Sequence, residues 1–212
     1  MYLPKTFEET DAARLQEFIR RHPLATLVSN DANGLCADHI PMLAETAADG
    51  APLLRGHVAR ANPLWRNLGA GAPVLAIFHD AGGYITPSWY ATKAETGKVV
   101  PTWNYVAVHV QGSARAVDDP DWLQAFLTRL TSANESARAQ PWKLTDAPAE
   151  FIATQLKAIV GIEVEVAHMV GKWKSSQNRV ARDIDGVISG LHEHGDSDSL
   201  RMAADVEQRR PR

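Results

Sequence analysis

Alternation of apolar and polar positions organises the first 120 residues of this chain. Leu24 to Asn30 alternates, Asp31-Ala32-Asn33-Gly34 reads as a turn, and Leu35 to Leu43 returns; together they predict a β-hairpin. Ala51 to Val58 predicts a third strand, and Pro73 to His79 a buried one. Ala81-Gly82-Gly83 then turns the chain into Tyr84 to Trp89. Val99 to Gly112, VVPTWNYVAVHVQG, predicts a long strand that extends through Arg115 to Val117. Period two places Val100, Thr102, Asn104, Val106, Val108 and Val110 on one face. Pro101, Trp103, Tyr105, Ala107, His109 and Gln111 fall on the other. The valine face is a core face. The second face carries flat rings with hydrogen-bonding tips, which suits a subunit interface, a planar ligand or a covering helix. Asn104 is out of place among the valines. A bend or bulge between Pro101 and Tyr105 would turn it outward.

Helical spacing appears elsewhere. Thr10 is a candidate cap for a helix from Asp11 to Arg21, with Leu15, Phe18 and Ile19 as its stripe and Pro23 as its stop. Pro63 opens a short helix that ends near Gly69. Asp119-Pro120 opens one holding Trp122, Phe126, Leu127 and Leu130. Asp146 to Pro148 opens another, with Phe151, Ile152, Leu156, Ile159 and Val160, ended by Gly161. GIEVEVAHMV then alternates as a half-buried strand, with Glu163 and Glu165 on its polar face. Val180, Ile184, Val187, Ile188 and Leu191 form a last helical stripe. ATKAETGK reads as a mobile loop, and residues 192–212 as a disordered tail. Five or six strands linked mostly by short turns argue for an antiparallel sheet or barrel with helical additions, in one domain over 1–191.

Composition narrows the function. The 212 residues carry a formal net charge of −3, so no overall basic field attracts nucleic acid. Cys36 is the only cysteine, which excludes an intramolecular disulfide, and its place in a strand predicts a small core residue. No apolar run approaches the ~20 residues of a membrane span, and the N-terminus lacks the basic start and apolar stretch of a signal peptide. A cytoplasmic location is the expectation. His57, His79, His109 and His168 lack metal-ligand spacing, and His192 and His194 fall in the tail. There is no P-loop, no dinucleotide glycine fingerprint and no helix-turn-helix spacing.

Two polar stretches hold candidate chemistry. In RGHVARANP, Arg60 and Asn62 stand at a helix entry, where a forked donor and free N–H groups suit a phosphate; a surface arginine and a capping asparagine are the plainer reading. In GKWKSSQNR, Lys172, Lys174 and Arg179 crowd with two hydroxyls and two amides around Trp173, as a polar-ligand site or a solvated loop.

The segments MYLPKTFEE, RGHVARANPLW, YITPSWYATKAETGKVVPTWNYVAVHVQG and IVGIEVEVAHMVGKWKSSQNR together resemble the PaiB-type FMN-binding negative transcriptional regulators. The resemblance runs from Met1 to about Leu191, and Ser175 stands where the family commonly has Leu. It implies a mainly β, α+β fold: an antiparallel split β-barrel of the flavin-reductase and pyridoxamine-phosphate-oxidase-like kind. It also implies a homodimer with FMN in a cleft at the dimer interface. By the same analogy Arg60 and Asn62 lie at the phosphate end, and Trp103, Asn104 and Tyr105 near the ring. Lys174, Ser175, Gln177, Asn178 and Arg179 would close the site, from the same or the partner subunit. The regulator reading stands beside a small flavin-dependent oxidoreductase with no direct DNA role, and beside a barrel that has lost its flavin. No catalytic residue is identified. Lys172, Lys174, Arg179 and Arg182 could form a local basic patch for DNA, but the same cations are claimed by the phosphate.

Overall fold

A computed structural model describes residues 1–69, 71–80 and 82–211. Ala81 of the expected turn and Arg212 of the expected tail lie outside the described residues. In chain order the elements are β1 (Glu8–Glu9), α1 (Ala12–Arg21), β2 (Leu24–Asp31), β3 (Gly34–Pro41), β4 (Leu43–Thr46), β5 (Pro52–Ala59), α2 (Leu64–Leu68), β6 (Ala72–His79) and β7 (Gly83–Ile85). They continue as α3 (Thr92–Thr96), β8 (Thr102–Val117), α4 (Pro120–Glu135), α5 (Ala149–Leu156), β9 (Ile159–Lys174), α6 (Ala181–His194) and α7 (Ser197–Gln208). The chain groups into two compact units. Met1–Leu15, His79–His109 and Val170–Arg212 form the first; Gln16–Phe78 and Val110–Met169 form the second. The long strands β8 and β9 contribute residues to both.

The second unit is built on strands in the order β3-β2-β6-β8-β9-β5-β4. The expected hairpin forms, in antiparallel register from Leu24↔Pro41 to Asp31↔Gly34. Its inner face carries Ala25 and Leu27, joined by Val74, Ala76 and Phe78 from β6 and by Val160, Ile162 and Val164 from β9. Cys36 departs from expectation: it is exposed, because β3 ends the strand order and alternation there has no second layer to bury it. Helix α4 starts where Asp119 Oδ1 accepts the Trp122 N–H at 2.9 Å, with Pro120 in the first turn. Gly161 does not end a helix. It sits inside β9, where a Cβ would come within 2.3 Å of the Trp122 ring, so the missing side chain is what lets α4 lie against the strand.

Glu163 also departs from the sequence reading. Alternation put it on a polar face, yet it is only 5% exposed. Two arginines cover it: Arg55 Nε at 2.6 Å and Arg115 Nη2 at 2.5 Å. Arg55 reaches on to Glu45 at 2.7 Å, and Arg129 of α4 closes the chain of charges on Glu45 at 2.6 Å. Burial alone would raise the Glu163 pKa; the hydrogen bonds from Arg55 and Arg115 outweigh it and hold the carboxyl below its ordinary value. His57, on β5, packs edge-on to Phe126 at 5.9 Å, and burial pushes its pKa down, so it serves as a neutral ring.

In the first unit, β7 pairs antiparallel with β8 one residue to one, Gly83↔Asn104, Tyr84↔Trp103 and Ile85↔Thr102. The anticipated bulge is absent, and Asn104 stays on the core face with Val106 and Val108. Helix α1 is capped by Asp11 rather than Thr10: Asp11 Oδ1 accepts the N–H groups of Ala13 and Arg14. The expected mobile loop is ordered. Pro87–Trp89 is a 3₁₀ turn followed by α3, and buried Asp183 of α6 accepts both the backbone N–H and the hydroxyl of Thr92, at 2.9 and 2.8 Å. Trp89 lies on α6 where Gly186 and Gly190 leave room; a Cβ on Gly190 would stand 2.2 Å from its ring.

The expected disordered tail is helical. Helix α6 runs to His194, Gly195 takes a left-handed turn (φ 74°), and Asp196 caps α7. The hydroxyl of Ser199 and then its backbone N–H draw the Asp196 carboxyl down to about 2. Met202, Ala203 and Val206 of α7 are buried with Ile184, Val187 and Leu191 of α6. Five apolar residues spread through a charged segment hid this stripe in the sequence; a neighbouring helix makes it worth burying.

Two outcomes test these packing arguments. Glu163→Gln leaves Arg55 and Arg115 sharing one neutral partner and is expected to cost roughly 1–3 kcal/mol at neutral pH by denaturant titration. Because the folded-state pKa is lowered, this stabilisation is present above the unfolded value and is lost as pH falls through the folded one, so the deficit shrinks in acid. Alanine normally improves a helix interior over glycine by about 1 kcal/mol. Gly190→Ala is expected to reverse that sign, lowering the melting temperature, because the methyl collides with Trp89.

Candidate functional site

Alternation along β8 presents Trp103 and Tyr105 on the face opposite Asn104. Trp103 is 58% exposed and meets Tyr84 of β7 edge-on, ring centres 6.1 Å apart. Tyr105 packs near His79 at 6.4 Å and lies under Lys172, whose Nζ is 5.2 Å from its ring centre. Lys172 and Lys174 share a face of β9, two residues apart. Lys172 is buried; its Nζ donates to the Tyr2 carbonyl at 3.1 Å and stands 5.7 Å from the Tyr2 ring. Lys174 Nζ donates to the Thr102 hydroxyl and to the Trp103 carbonyl.

After β9 the chain turns tightly through Ser175 to Arg179. Gln177 holds the turn: its Oε1 accepts the Ser175 N–H at 2.8 Å, and its Nε2 donates to the carbonyls of Trp173 and Thr6. Its amide is therefore spent on the loop. Ser176 has φ 60°, the one positive value on a non-glycine residue among the described residues, a conformation costing about 1–2 kcal/mol. That twist aims its Oγ at Asn104, which donates through Nδ2 at 2.8 Å. The other half of the Asn104 amide, Oδ1, is buried without a partner, and so is the hydroxyl of Ser175. Arg179 stacks over the Tyr90 ring at 4.6 Å, and Asn178 is exposed on the turn.

The electrostatics are one-sided. Among the described residues, the hydrogen bonds and ring contacts of Lys172, Lys174 and Arg179 go to carbonyls, a hydroxyl and aromatic rings, while Glu8 stands opposite Lys172 in the β1–β9 ladder. Burial, and then repulsion from Lys172 and Arg179, push the Lys174 pKa below its ordinary value. Such a cluster is relieved by an anion. An unpartnered buried carbonyl needs an N–H donor, and an unpartnered buried hydroxyl can give or take one bond. A phosphate, a planar ring with both donors and acceptors on its edge, and an aromatic surface to lie against are the chemistry this face accepts; flavin mononucleotide carries all of the first two, and Trp103, Tyr84 and Tyr105 offer the third.

Most of the residues singled out in the sequence therefore come together in the first unit: Trp103, Asn104, Tyr105, Lys174, Ser175, Gln177, Asn178 and Arg179. Arg60 and Asn62 belong to the second unit and are otherwise engaged. The Arg60 guanidinium clasps Asp118 at 2.6 and 2.8 Å and also donates to the carbonyls of Lys157 and Ile159. Asn62 donates to Asp38 at 2.6 Å and accepts the Leu64 N–H at the start of α2, the plainer capping role. These bonds take up most of the donors of both side chains. The sequence passed over Ser176, Thr102 and Tyr84. Ser176 lay inside the flagged KSSQNR stretch, but its role depends on a backbone twist that no residue pattern announces. The described residues contain no cluster of His, Cys, Asp and Glu fit to hold a metal, and no helix among them is long and apolar enough to cross a membrane.

Comparison with known proteins identifies the family and the fold. Residues 1–168 match the family described as "Putative FMN-binding domain". The protease synthase and sporulation protein PAI 2 of Bacillus subtilis is 32% identical over 209 residues, covering 99% of this chain and 98% of its own. An uncharacterised protein of Aspergillus fumigatus is 34% identical over 254 residues, covering 99% and 97%. Among solved structures, the FAD and heme binding protein of Mycobacterium smegmatis superposes with a TM-score of 0.61 at 17% identity, covering 84% of this chain and 78% of that one. The flavocytochrome Anf3 of Azotobacter vinelandii gives 0.58 at 14%, covering 79% and 69%. These structures share the fold, a mostly antiparallel sheet with helices of the split-barrel kind, and the chain belongs to the PaiB-like family of FMN-binding proteins.

Proposed function

We propose that this protein is an FMN-binding homodimer that acts as a negative transcriptional regulator of the PaiB kind. Its flavin is held on the first-unit face formed by Trp103, Tyr105, Lys172, Lys174 and the Ser175–Arg179 turn. The observation that carries the reading is the gathering of three cations whose hydrogen bonds and ring contacts go to neutral groups, beside exposed rings and two unpartnered buried polar atoms. Lys172, Lys174 and Arg179 are assigned to the phosphate. Ser175 Oγ supplies a further hydrogen bond, and Asn104, on the opposite face of β8, ties the turn to the strand from behind through Ser176. The bound flavin supplies two-electron redox chemistry. Arg60 and Asn62 keep a structural role, tying the end of β5 to Asp118 and the start of α2.

The charge distribution shapes the regulatory part of the reading. Helices α6 and α7 are joined by a short turn at Gly195-Asp196, but α7 carries Asp198, Asp205 and Glu207 against Arg201, and Arg201 is paired with Asp198 and Asp80. A helix of that charge does not enter a DNA groove unaided. Regulation is therefore assigned to the flavin-loaded dimer as a whole and not to a recognition helix. Purified protein that takes up added FMN and sediments as a dimer supports the reading; a colourless monomer that takes up none overturns it. Sequence-selective, salt-sensitive retention of operator fragments completes it. NAD(P)H-driven bleaching of the flavin with no DNA retention would establish the small flavin-dependent oxidoreductase instead.

Two substitutions separate the phosphate assignments. Lys174→Ala is expected to weaken FMN binding by roughly tenfold or more in a fluorescence-quenching titration, the loss of one charge-assisted contact. Arg60→Ala is expected to leave FMN affinity unchanged while lowering the melting temperature, because its donors serve Asp118 and two strand carbonyls. The pH dependence has a definite sign. The phosphate prefers protonated Lys174, whose pKa in the free protein is depressed, so FMN affinity falls as pH rises from neutral toward the ordinary lysine range. Lys174→Ala flattens that profile.

A further inference from the structure

Away from the flavin face, the second unit holds a cavity of about 750 Å³ between α4, the segment after it and α5. That volume falls in the range of small-molecule sites, roughly 300–1,000 Å³. Thr128 and Ser132 of α4 form one wall, Trp142 and Leu144 a second, and Ile152 and Leu156 of α5 a third. Most of the lining is carbon, so the body of an occupant is apolar.

The polar groups select its end. Two charged side chains line the cavity, Glu135 and Lys143. Glu135 is already satisfied: Oε1 pairs with Arg138 Nε at 3.0 Å, and Oε2 accepts the Trp142 N–H at 3.1 Å. Asp146 nearby is engaged through Oδ2 by the Lys143 backbone N–H at 2.8 Å. The Lys143 ammonium carries no hydrogen bond or ion pair among the described residues. Of the two charged side chains that line the cavity, Lys143 is thus the one left for an occupant, at the edge of an apolar chamber.

We propose that this cavity binds a small apolar carboxylic acid, aliphatic or aromatic, whose carboxylate pairs with Lys143 and whose body lies against Leu144, Ile152 and Leu156. The site is independent of the flavin face. Its test is calorimetric titration of the full chain with three probes of one chain length: decanoate, decanol and decylamine. Decanoate is expected to bind saturably at one per chain, about tenfold or more tighter than decanol, with decylamine weakest. Lys143→Glu is expected to invert the order of decanoate and decylamine. Ala153→Trp, an exposed position lining the cavity, is expected to abolish decanoate binding, and unchanged FMN uptake by that variant shows that the fold is intact. Absence of saturable decanoate binding overturns the proposal. Equal affinity for all three probes overturns the carboxylate assignment, and decanoate binding retained in Ala153→Trp overturns the location.

Discussion

Strict two-residue alternation along β8 is the constraint on which the candidate binding face depends. Because β7 pairs with β8 without a bulge, Trp103 and Tyr105 must face one way and Asn104 the other. A buried amide then needs partners, and one comes from Ser176, which reaches it only by adopting a left-handed backbone. The KSSQNR turn is thereby set against the start of β8, and Lys174 settles on the Thr102 hydroxyl and the Trp103 carbonyl. One register fixes the rings, the amide and the cations together.

The protein treats its buried charges in two opposite ways. In the second unit Glu163 and Glu45 are fully met by Arg55, Arg115 and Arg129, so ionisation is favoured despite burial. In the first unit Lys172, Lys174 and Arg179 are gathered with their hydrogen bonds and ring contacts on neutral groups, and burial, then repulsion from Lys172 and Arg179, holds Lys174 below its ordinary pKa. The first arrangement stabilises the sheet by itself. The second costs free energy until an anion arrives, and unresolved electrostatics of that kind mark binding sites more often than structural ones.

The contrast between Arg60 and Lys174 shows what sequence reasoning could and could not separate. Both are cations beside polar residues in motifs shared with a flavin-binding family. Arg60 is followed by a helix start, the usual cue for phosphate, yet Asp118, fifty-eight positions away, occupies its fork. Nothing local in RGHVARANP reveals that partner. Glu163 shows the same dependence on distant partners: period two assigned it to solvent, and Arg55 and Arg115 converted that face into a buried ion pair.

Local pattern was sufficient for the strands β2, β3, β5, β6, β8 and β9, for the helix α4 with its Asp119 cap, and for the fold class, because alternation, turn residues and caps act over a few residues and are written in order along the chain. It also marked out Trp103, Asn104, Tyr105, Lys174 and Ser175 to Arg179 as candidates, because they sit in two contiguous polar stretches. Tertiary structure alone decided the rest. Asp183 and the Gly186–Gly190 notch order the segment from Pro87 to Thr96, α6 gives α7 a surface to bury against, and Ser176 takes up Asn104. Each of these depends on a partner distant in sequence, whose presence is a matter of packing and not of periodicity.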